Sequence, residues 1–271
     1  MGFEEVSGKR GIQKVSLNIQ KLYPDPKERE EFKDRLCQFL DSDGDNRKII
    51  NLEGELLIYL TECIIPNKRD KLIPLLLLLG NPASHSVRSE MFFSYEGKGR
   101  DHRFWKALKK AGILEFTKES SYAKDSAERN KSRKNELYEL SYKSDSRIGL
   151  ATFYSMPSGA SGSEWAGVQG LRKLFRMKAL KKILEEEKTR IERLIQKFLF
   201  PKGAVFAFQR DAYLGIKSPE SPEYSLNEAK AGKLHGFCLR DDSNIRLFCL
   251  PPTRLIQGTK TLDLLRKFAR Y

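Results

Sequence analysis

A carboxamide and an aromatic pair follow a solid apolar run, and these residues are the best placed in the chain to do chemistry. The run Leu75–Leu79 stops at Gly80, Asn81 and Pro82 open a stretch of small residues, and an aromatic pair ends at Phe93. A carboxamide at the end of a buried strand can position a water molecule, but it accepts a proton poorly. Such a group suits a reaction in which the leaving group departs first, as in cleavage of an N-glycosidic bond, and a nearby ring can stack on an extruded base. The structural alternative is that Asn81 caps a turn and Phe93 fills the core.

Four apolar segments predict the buried strands that would position these residues. They are Leu72–Leu79, Ile148–Tyr154, Gly203–Phe208 and Ile245–Leu250, and helical patterns lie between them. Strands that alternate with helices predict an α/β fold: a three-layer α/β/α domain around a central, mostly parallel four-stranded sheet. Ligands bind past the carboxyl ends of such strands, which selects GNPASHS, SMPSGASGS, QRDAY and PPTRLIQGTK.

The chain divides by pattern into two parts. Residues 1–70 are predicted to form a helical N-terminal extension, with helices over DPKEREEFKDRLCQFLDS and GELLIYLTECII. Residues 71–271 are predicted to form the α/β/α domain, with a polar insertion at about 118–143 that we interpret as a surface loop.

The net charge and the composition indicate which classes of partner to expect. The net charge of +14 over 271 residues favours a polyanion, and nucleic acid is the commonest one. No apolar run approaches the ~20 residues that span a membrane, and no secretory signal is visible, so we expect a cytoplasmic protein without a membrane partner. The four cysteines form no CxxC pair and the three histidines lie far apart, so we predict structural thiols, no metal and no cofactor. We also expect a monomer.

Two clusters of basic residues could carry the contact with nucleic acid. One borders the aromatic pair and comprises Lys98, Arg100, Arg103, Lys106, Lys109 and Lys110. The other comprises Arg172, Lys173, Arg176, Lys178, Lys181 and Lys182, for which a solvated helix face is an equal alternative. Phosphate contacts by such side chains would make the affinity fall steeply with salt.

The stretch GNPASHSVRSEMFFSYEGKGRDHRFWKALKKAGIL resembles the first motif of the uracil-DNA glycosylase superfamily, and most resembles its mismatch-specific uracil/thymine branch. That branch has G-x-N-P-G after the first strand, an aromatic residue twelve positions past the Asn, and then N-R-F-W-K. Asn81-Pro82, Phe93 and Arg103–Lys106 match these positions, whereas Leu79 and Ala83 replace the two glycines. The segments ATFYSMPSG, PKGAVFAFQRDAYLGI and LPPTRLIQGTKTLDLLRKFARY resemble later parts of the same domain, so the resemblance covers Leu72 to Tyr271 with insertions.

The resemblance implies a role for each matching residue. Asn81 would position the attacking water, and Thr253 in the last motif is the second catalytic candidate. The residues implied to bind the base are Gly80, Pro82, Ala83, Phe93 and Ser155. Those implied to bind DNA, with Arg254 or Leu255 as a wedge in the base stack, are Ser84, Ser86, Arg103, Pro251, Pro252, Arg254 and Leu255.

We therefore predict a monofunctional DNA glycosylase that flips a base out of duplex DNA and hydrolyses its N-glycosidic bond. The base could be uracil, a deaminated purine or a bulky modified base of the viral type, in repair or in anti-phage defence. Two alternatives remain open: a non-catalytic nucleic-acid sensor with this fold, and a hydrolase of free nucleosides. The sensor is motivated by Leu250, which stands where the family often has His or Asn.

Overall fold

The structure is a computed structural model that describes residues 3–7, 11–68, 70–94, 101–118, 126–159, 161–238 and 244–270. The strands are β1 (Phe3–Ser7), β2 (Ile12–Asn18), β3 (Ile50–Glu53), β4 (Leu56–Ile64), β5 (Ile73–Leu79), β6 (Ser146–Thr152), β7 (Lys202–Ala207), β8 (His235–Phe237) and β9 (Asn244–Cys249). The helices are α1 (Ile19–Leu22), α2 (Pro26–Asp41), α3 (Asn46–Ile49), α4 (Ser84–Arg88), α5 (Arg103–Lys110), α6 (Ser126–Glu139), α7 (Gly167–Leu199), α8 (Arg210–Ile216), α9 (Leu226–Ala231) and α10 (Thr259–Ala269). A 3₁₀ turn covers Thr253–Leu255.

The chain folds as two compact units. Unit 1 comprises Met1–Cys63, Asn81–Phe92 and Thr152–Arg190, and unit 2 comprises Ile64–Gly80, Phe93–Ala151 and Ile191–Tyr271. Two of the divisions fall inside the predicted first motif, between Gly80 and Asn81 and between Phe92 and Phe93.

Unit 1 contains antiparallel strands where the sequence predicted a helix. Strand β2 pairs with β1 and with β4, and β3 pairs with β4, all antiparallel. The helix predicted over GELLIYLTECII is therefore wrong, because Leu56–Ile64 within it is strand β4. Along β4 the buried Leu57 and Tyr59 alternate with more exposed neighbours, which is the two-residue period of a strand. Nearly every position of this run is apolar, so it fits a helical period as well as a strand period.

The first predicted helix of unit 1 is confirmed as α2. Asp25 caps it, with its side chain accepting from the backbone N–H groups of Lys27 and Glu28. The apolar face expected at helical spacing is buried and consists of Phe32, Leu36, Phe39 and Leu40. The predicted spacing therefore identified both the helix and the side that faces the core.

Helix α7 begins in unit 1 and is interrupted at Arg176, where φ is 60° and ψ is 160°. At the break, backbone carbonyl groups have no hydrogen-bond donor within the helix. Side chains from the first part of the chain donate to them instead. Arg35 donates from Nε to the Leu174 carbonyl at 2.9 Å, and the Tyr23 hydroxyl donates to the Phe175 carbonyl at 2.6 Å. Burial raises the pKa of Tyr23, so this hydroxyl keeps its proton for the bond.

Unit 2 is built on the four strands that the sequence predicted. Its strand order is β6-β5-β7-β9-β8, in which β5 and β7, and β7 and β9, pair in parallel. The α/β class is confirmed, but the sheet is not limited to four strands, because the short strand β8 adds to β9 in the antiparallel direction. The six consecutive buried residues of β5, Pro74–Leu79, explain its solid apolar sequence.

The polar segment predicted as a surface loop contains helix α6. Its Glu136 is buried and accepts hydrogen bonds from Thr117, from the backbone N–H at 2.6 Å and from the hydroxyl at 2.9 Å. Arg133 is also buried and forms an ion pair with Asp101, with 2.6 Å between Nη2 and Oδ1. The buried face of α6 thus includes charged residues with fixed partners, which a search for apolar periodicity overlooks. Residues 119–125 of the predicted loop lie outside the described residues.

Candidate functional site

The carboxyl ends of three parallel strands lie side by side in unit 2, as predicted. The Phe208 amide donates to the Leu78 carbonyl at 2.9 Å, which joins the ends of β7 and β5. The Leu250 amide donates to the Ala207 carbonyl at 2.8 Å, which joins the ends of β9 and β7. Three of the four segments selected from the sequence therefore start from one edge of the sheet.

The strand order places a topological switch point between β5 and β7. The strand that follows β5 in the chain, β6, is its neighbour on one edge, and the next strand, β7, is its neighbour on the other edge. Open α/β sheets bind ligands in the crevice at such a point. Gly80 and Gln209 follow these two strands, and a β-carbon at Gly80 would lie 3.1 Å from Gln209 Cγ. Gly80 therefore permits a close approach that any side chain would hinder.

Asn81 begins a segment of unit 1 that is held by backbone hydrogen bonds. The Ser158 amide donates to the Pro82 carbonyl at 3.0 Å, and the Ser84 amide donates to the Ser158 carbonyl at 3.2 Å. The half-buried Asn81 donates from Nδ2 to the Pro82 carbonyl at 3.2 Å. Its carboxamide oxygen accepts no hydrogen bond from the described residues, so it can accept one from water. This is the atom that the predicted role requires.

The serines predicted to contact DNA or a base are buried in unit 1. The Ser84 hydroxyl donates to Asn46 Oδ1 and approaches the Ser158 carbonyl, and Ser86 is 3% exposed. Ser155 is fully buried, and both its amide and its hydroxyl donate to Glu187 Oε1 at 2.5 Å. These bonds would have to break before a phosphate or a base could replace them. The geometry therefore does not favour direct contact by Ser84 or Ser155, and their roles remain predictions.

A buried polar cluster holds Ser155, and the apolar pattern of the sequence did not indicate it. Glu187 is 0% exposed and accepts from Arg190 Nε at 2.6 Å, and Arg190 Nη2 donates to the Thr152 carbonyl at 2.5 Å. The Tyr59 hydroxyl lies 2.8 Å from Ser155 Oγ. The cluster thus fixes the backbone after β6, and it includes no apolar residue that would have marked it. One available indication was the position of Glu187, four residues from the buried Ile183 and four from the buried Ile191, on the core side of α7.

Phe93 lies in unit 2 at the centre of an aromatic cluster. Its ring stacks on His102 with centroids 4.5 Å apart and on Phe104 with centroids 4.3 Å apart. Its carbonyl accepts from Trp105 Nε1 at 3.1 Å, and its φ of 47° lies in the left-handed region that costs a non-glycine residue ~1–2 kcal/mol. The half-buried ring already has two stacked neighbours, so a base would have to share or replace one of them.

Helix α5 presents basic residues and is linked to the predicted wedge. Arg103, Lys106 and Lys110 are exposed at helical spacing, and their apolar neighbours, including Phe104, are buried. Arg103 Nη1 donates to the Arg254 carbonyl at 3.3 Å, which brings the first and last motifs of unit 2 together. Lys109 instead pairs with an acid of its own region, Glu115, at 2.9 Å. Lys98 and Arg100 of the same predicted cluster lie outside the described residues.

The last motif forms a compact turn after β9. Pro251 is buried, Pro252, Thr253 and Leu255 are half-buried, and Arg254 is exposed at the surface of the 3₁₀ turn. Burial raises the pKa of the nearby Tyr224, while the guanidinium groups of Arg210 and Arg254 act in the opposite direction. Of the two candidate wedge residues, Arg254 is therefore the one that the surface presents.

Three of the six residues of the second predicted basic cluster, in α7, are engaged within unit 1. Lys173 pairs with Glu164 at 2.5 Å and lies over the Trp165 ring, Lys178 pairs with Glu28 at 3.3 Å, and Lys182 donates to a backbone carbonyl. These contacts are those of a solvated helix face. In both clusters, therefore, some of the basic residues already have partners within the protein, and the role of each cluster in binding nucleic acid stays a prediction.

Comparison with known proteins adds no assignment. No protein-family model matches the chain, and no curated protein matches it significantly. Among the helices that the structure describes, none has the length and apolar character needed to span a bilayer. Over the same residues, no group of three or more His, Cys, Asp or Glu side chains is arranged to hold a metal ion.

Proposed function

We propose that this protein is a DNA glycosylase that hydrolyses the N-glycosidic bond of a base extruded from duplex DNA. The observation that carries the proposal is the hydrogen bond between Arg103 and the Arg254 carbonyl. It joins the basic face of α5 to the exposed turn that follows β9, the strand whose carboxyl end lies next to that of β7. A surface with phosphate-binding cations and an adjacent protruding residue suits a duplex from which one base has been displaced.

The chemistry rests on Asn81. Its carboxamide oxygen would accept a hydrogen bond from a water molecule and orient it toward C1′ of the sugar. The bond from C1′ to the base nitrogen breaks first, because a carboxamide cannot take the proton that an early attack by water would release. The water oxygen then bonds to C1′, and its proton ends on the departing base, leaving an abasic site.

A second candidate function, a non-catalytic sensor of nucleic acid, is favoured by one specific observation. Leu250 is 1% exposed and apolar, and it stands where the resembled superfamily often has His or Asn, a polar side chain that would stabilise the departing base anion. Such a protein would bind DNA through the same basic face without cleaving any bond. The two functions therefore differ in their product and not in their affinity.

The test is a panel of duplexes carrying uracil, hypoxanthine, xanthine, a thymine mismatch or a bulky modified cytosine, each assayed for abasic sites. Asn81→Ala should abolish the product on the accepted substrate, whereas Asn227→Ala, which removes an exposed carboxamide from α9, should retain it. Tight, salt-sensitive binding without an abasic product on any duplex would support the sensor. Turnover of free nucleosides alone would support the nucleoside hydrolase.

The DNA surface has its own test. Replacing Arg103, Lys106 and Lys110 together by Ala should reduce the slope of log affinity against log salt by about 2–3, since each phosphate contact contributes ~0.9. An unchanged slope would show that DNA binds elsewhere on the chain. The triple replacement should leave the fold intact, because all three side chains are exposed.

A further inference from the structure

Gln209 is a polar side chain at the switch point of the unit 2 sheet, and the proposed function gives it no role. It follows β7, is half-buried, and caps α8. Its Oε1 atom accepts a hydrogen bond from the Ala212 amide at 2.8 Å. A backbone N–H requires an acceptor, so this bond identifies the oxygen end of the carboxamide. The other end is therefore the Nε2 group.

The Nε2 group of Gln209 is a hydrogen-bond donor that has no partner among the described residues. It can donate hydrogen bonds but cannot accept one. Gly80 packs against the stem of the side chain, since a β-carbon at Gly80 would lie 3.1 Å from Gln209 Cγ and 3.5 Å from its Cβ. The bond to Ala212 and the contact with Gly80 together restrict the orientation of the carboxamide, while its donor stays available to a ligand.

The residues at the neighbouring strand ends have no comparable side chain. Gly80, which follows β5, has none. Phe208 and Leu250, the first residues after β7 and β9, are apolar and buried. Among these residues, Gln209 is therefore the one whose side chain can donate a hydrogen bond at this edge of the sheet.

The proposed reaction requires a donor for its leaving group. As the bond from C1′ to the base nitrogen breaks, the bonding electrons stay with the base. Negative charge then develops on the acceptor atom two bonds from that nitrogen, which is O2 of a pyrimidine or N3 of a purine. A donor held in place near this atom stabilises the transition state more than the substrate, because the charge is largest there.

We propose that Gln209 stabilises the departing base by donating a hydrogen bond from Nε2 to this acceptor atom, while Oε1 stays bound to the Ala212 amide. The inference rests on the proposed function, because it assigns a role within that reaction. Gln209 transfers no proton in this role. The base leaves with the electron pair of the broken bond and gains its proton from the attacking water.

The test compares single-turnover rates at saturating enzyme for wild type, Gln209→Glu and Gln209→Met on the accepted duplex of the panel. Gln209→Glu keeps an oxygen for the Ala212 amide but loses the donor, and Gln209→Met loses the donor without adding charge. Both should slow the chemical step by roughly 10²–10³-fold, the cost of removing one such donor, with little change in DNA affinity. Gln196→Glu, which alters an exposed carboxamide on α7, should retain the wild-type rate.

A second measurement tests whether the contact is made to the leaving group. A ring fluorine makes a base a better leaving group, as in 5-fluorouracil compared with uracil. The fold-loss of rate in Gln209→Met should therefore be smaller on the fluorinated base than on the parent base. An equal loss on both bases would overturn the proposal. A loss of DNA affinity at an unchanged rate would also overturn it, by assigning Gln209 to a phosphate contact.

The outcomes separate this inference from the proposed function. If wild type forms an abasic site and both Gln209 variants match its rate, then the assignment of Gln209 fails and the glycosylase function stands. If wild type forms no abasic site on any duplex, then the proposed function fails, and this inference fails with it. Circular dichroism would verify that each variant is folded.

Discussion

Glu62 provides the sharpest quantitative prediction. It lies on β4 opposite Ile12, is 3% exposed, and has its Oε2 atom buried without a hydrogen-bond partner among the described residues. Burial alone raises the pKa of this carboxyl well above 4.5. The folded chain therefore holds a proton that the unfolded chain releases as the pH rises past about 4.5.

The sign of the pH dependence follows from that proton. Folding takes up a proton in the window between the unfolded-state pKa and the raised folded-state pKa, so the free energy of unfolding falls as the pH rises through it. The loss is about 1.4 kcal/mol for each pH unit of the window. Below the window Glu62 is neutral in both states and contributes no pH dependence. Glu62→Gln removes the titration and should remove this component of the slope.

The assay is urea unfolding of wild type and Glu62→Gln at a series of pH values from about 5 to about 8, followed by circular dichroism. As the pH rises, the free energy of unfolding of wild type should fall relative to that of Glu62→Gln. All other titrating groups are common to both proteins, so their contributions cancel in the difference. Glu53→Gln, which changes an exposed acid on β3, should run parallel to wild type. Parallel curves for Glu62→Gln and wild type would refute the assignment of a neutral buried acid.

Two further predictions concern other buried groups. Glu187→Ala should lower the free energy of unfolding by ~3–5 kcal/mol, because it leaves the buried Arg190 charge without its carboxylate. Additional replacement of Arg190 should recover part of that loss in the same urea assay. A loss below ~1 kcal/mol would contradict it. Burial raises the pKa of Cys238 and of Cys249 to about 12, so a thiol reagent at neutral pH should label the exposed Cys37 first and the three buried cysteines only on unfolding. Rapid labelling in Cys37→Ser would contradict this second prediction.

The four apolar strands of unit 2 were predictable because most of their positions are buried, and burial on both faces favours apolar residues. The same property made β4 ambiguous: its run is short and apolar throughout, and only pairing with β2 and β3 distinguishes it from a helix. The sequence did not indicate helix α6 because its buried face includes charged residues. Its buried Arg133 and Glu136 are stabilised by partners from other segments, and a search for apolar spacing does not detect such residues.

The candidate site was also predictable only in part. The sequence indicated Asn81, Phe93 and Arg103 from their order and spacing after one strand. It did not indicate that the Ser155 hydroxyl is bound by Glu187, or that the Phe93 ring stacks on His102. Glu187 lies on α7, far from Ser155 in the chain, and His102 lies beyond residues 95–100 from Phe93, so both distances depend on how these segments pack.

The sequence by itself determined which segments must be buried and which residues follow the strands, because the hydrophobic effect acts on local composition and strand ends are set by local breaks in the apolar pattern. Tertiary structure decided the strand order, the switch point beside Gly80 and the link from Arg103 to the turn at Arg254. It also decided which polar groups are already satisfied inside the protein. These properties depend on contacts between residues far apart in the chain, and the spacing within any one segment does not encode them.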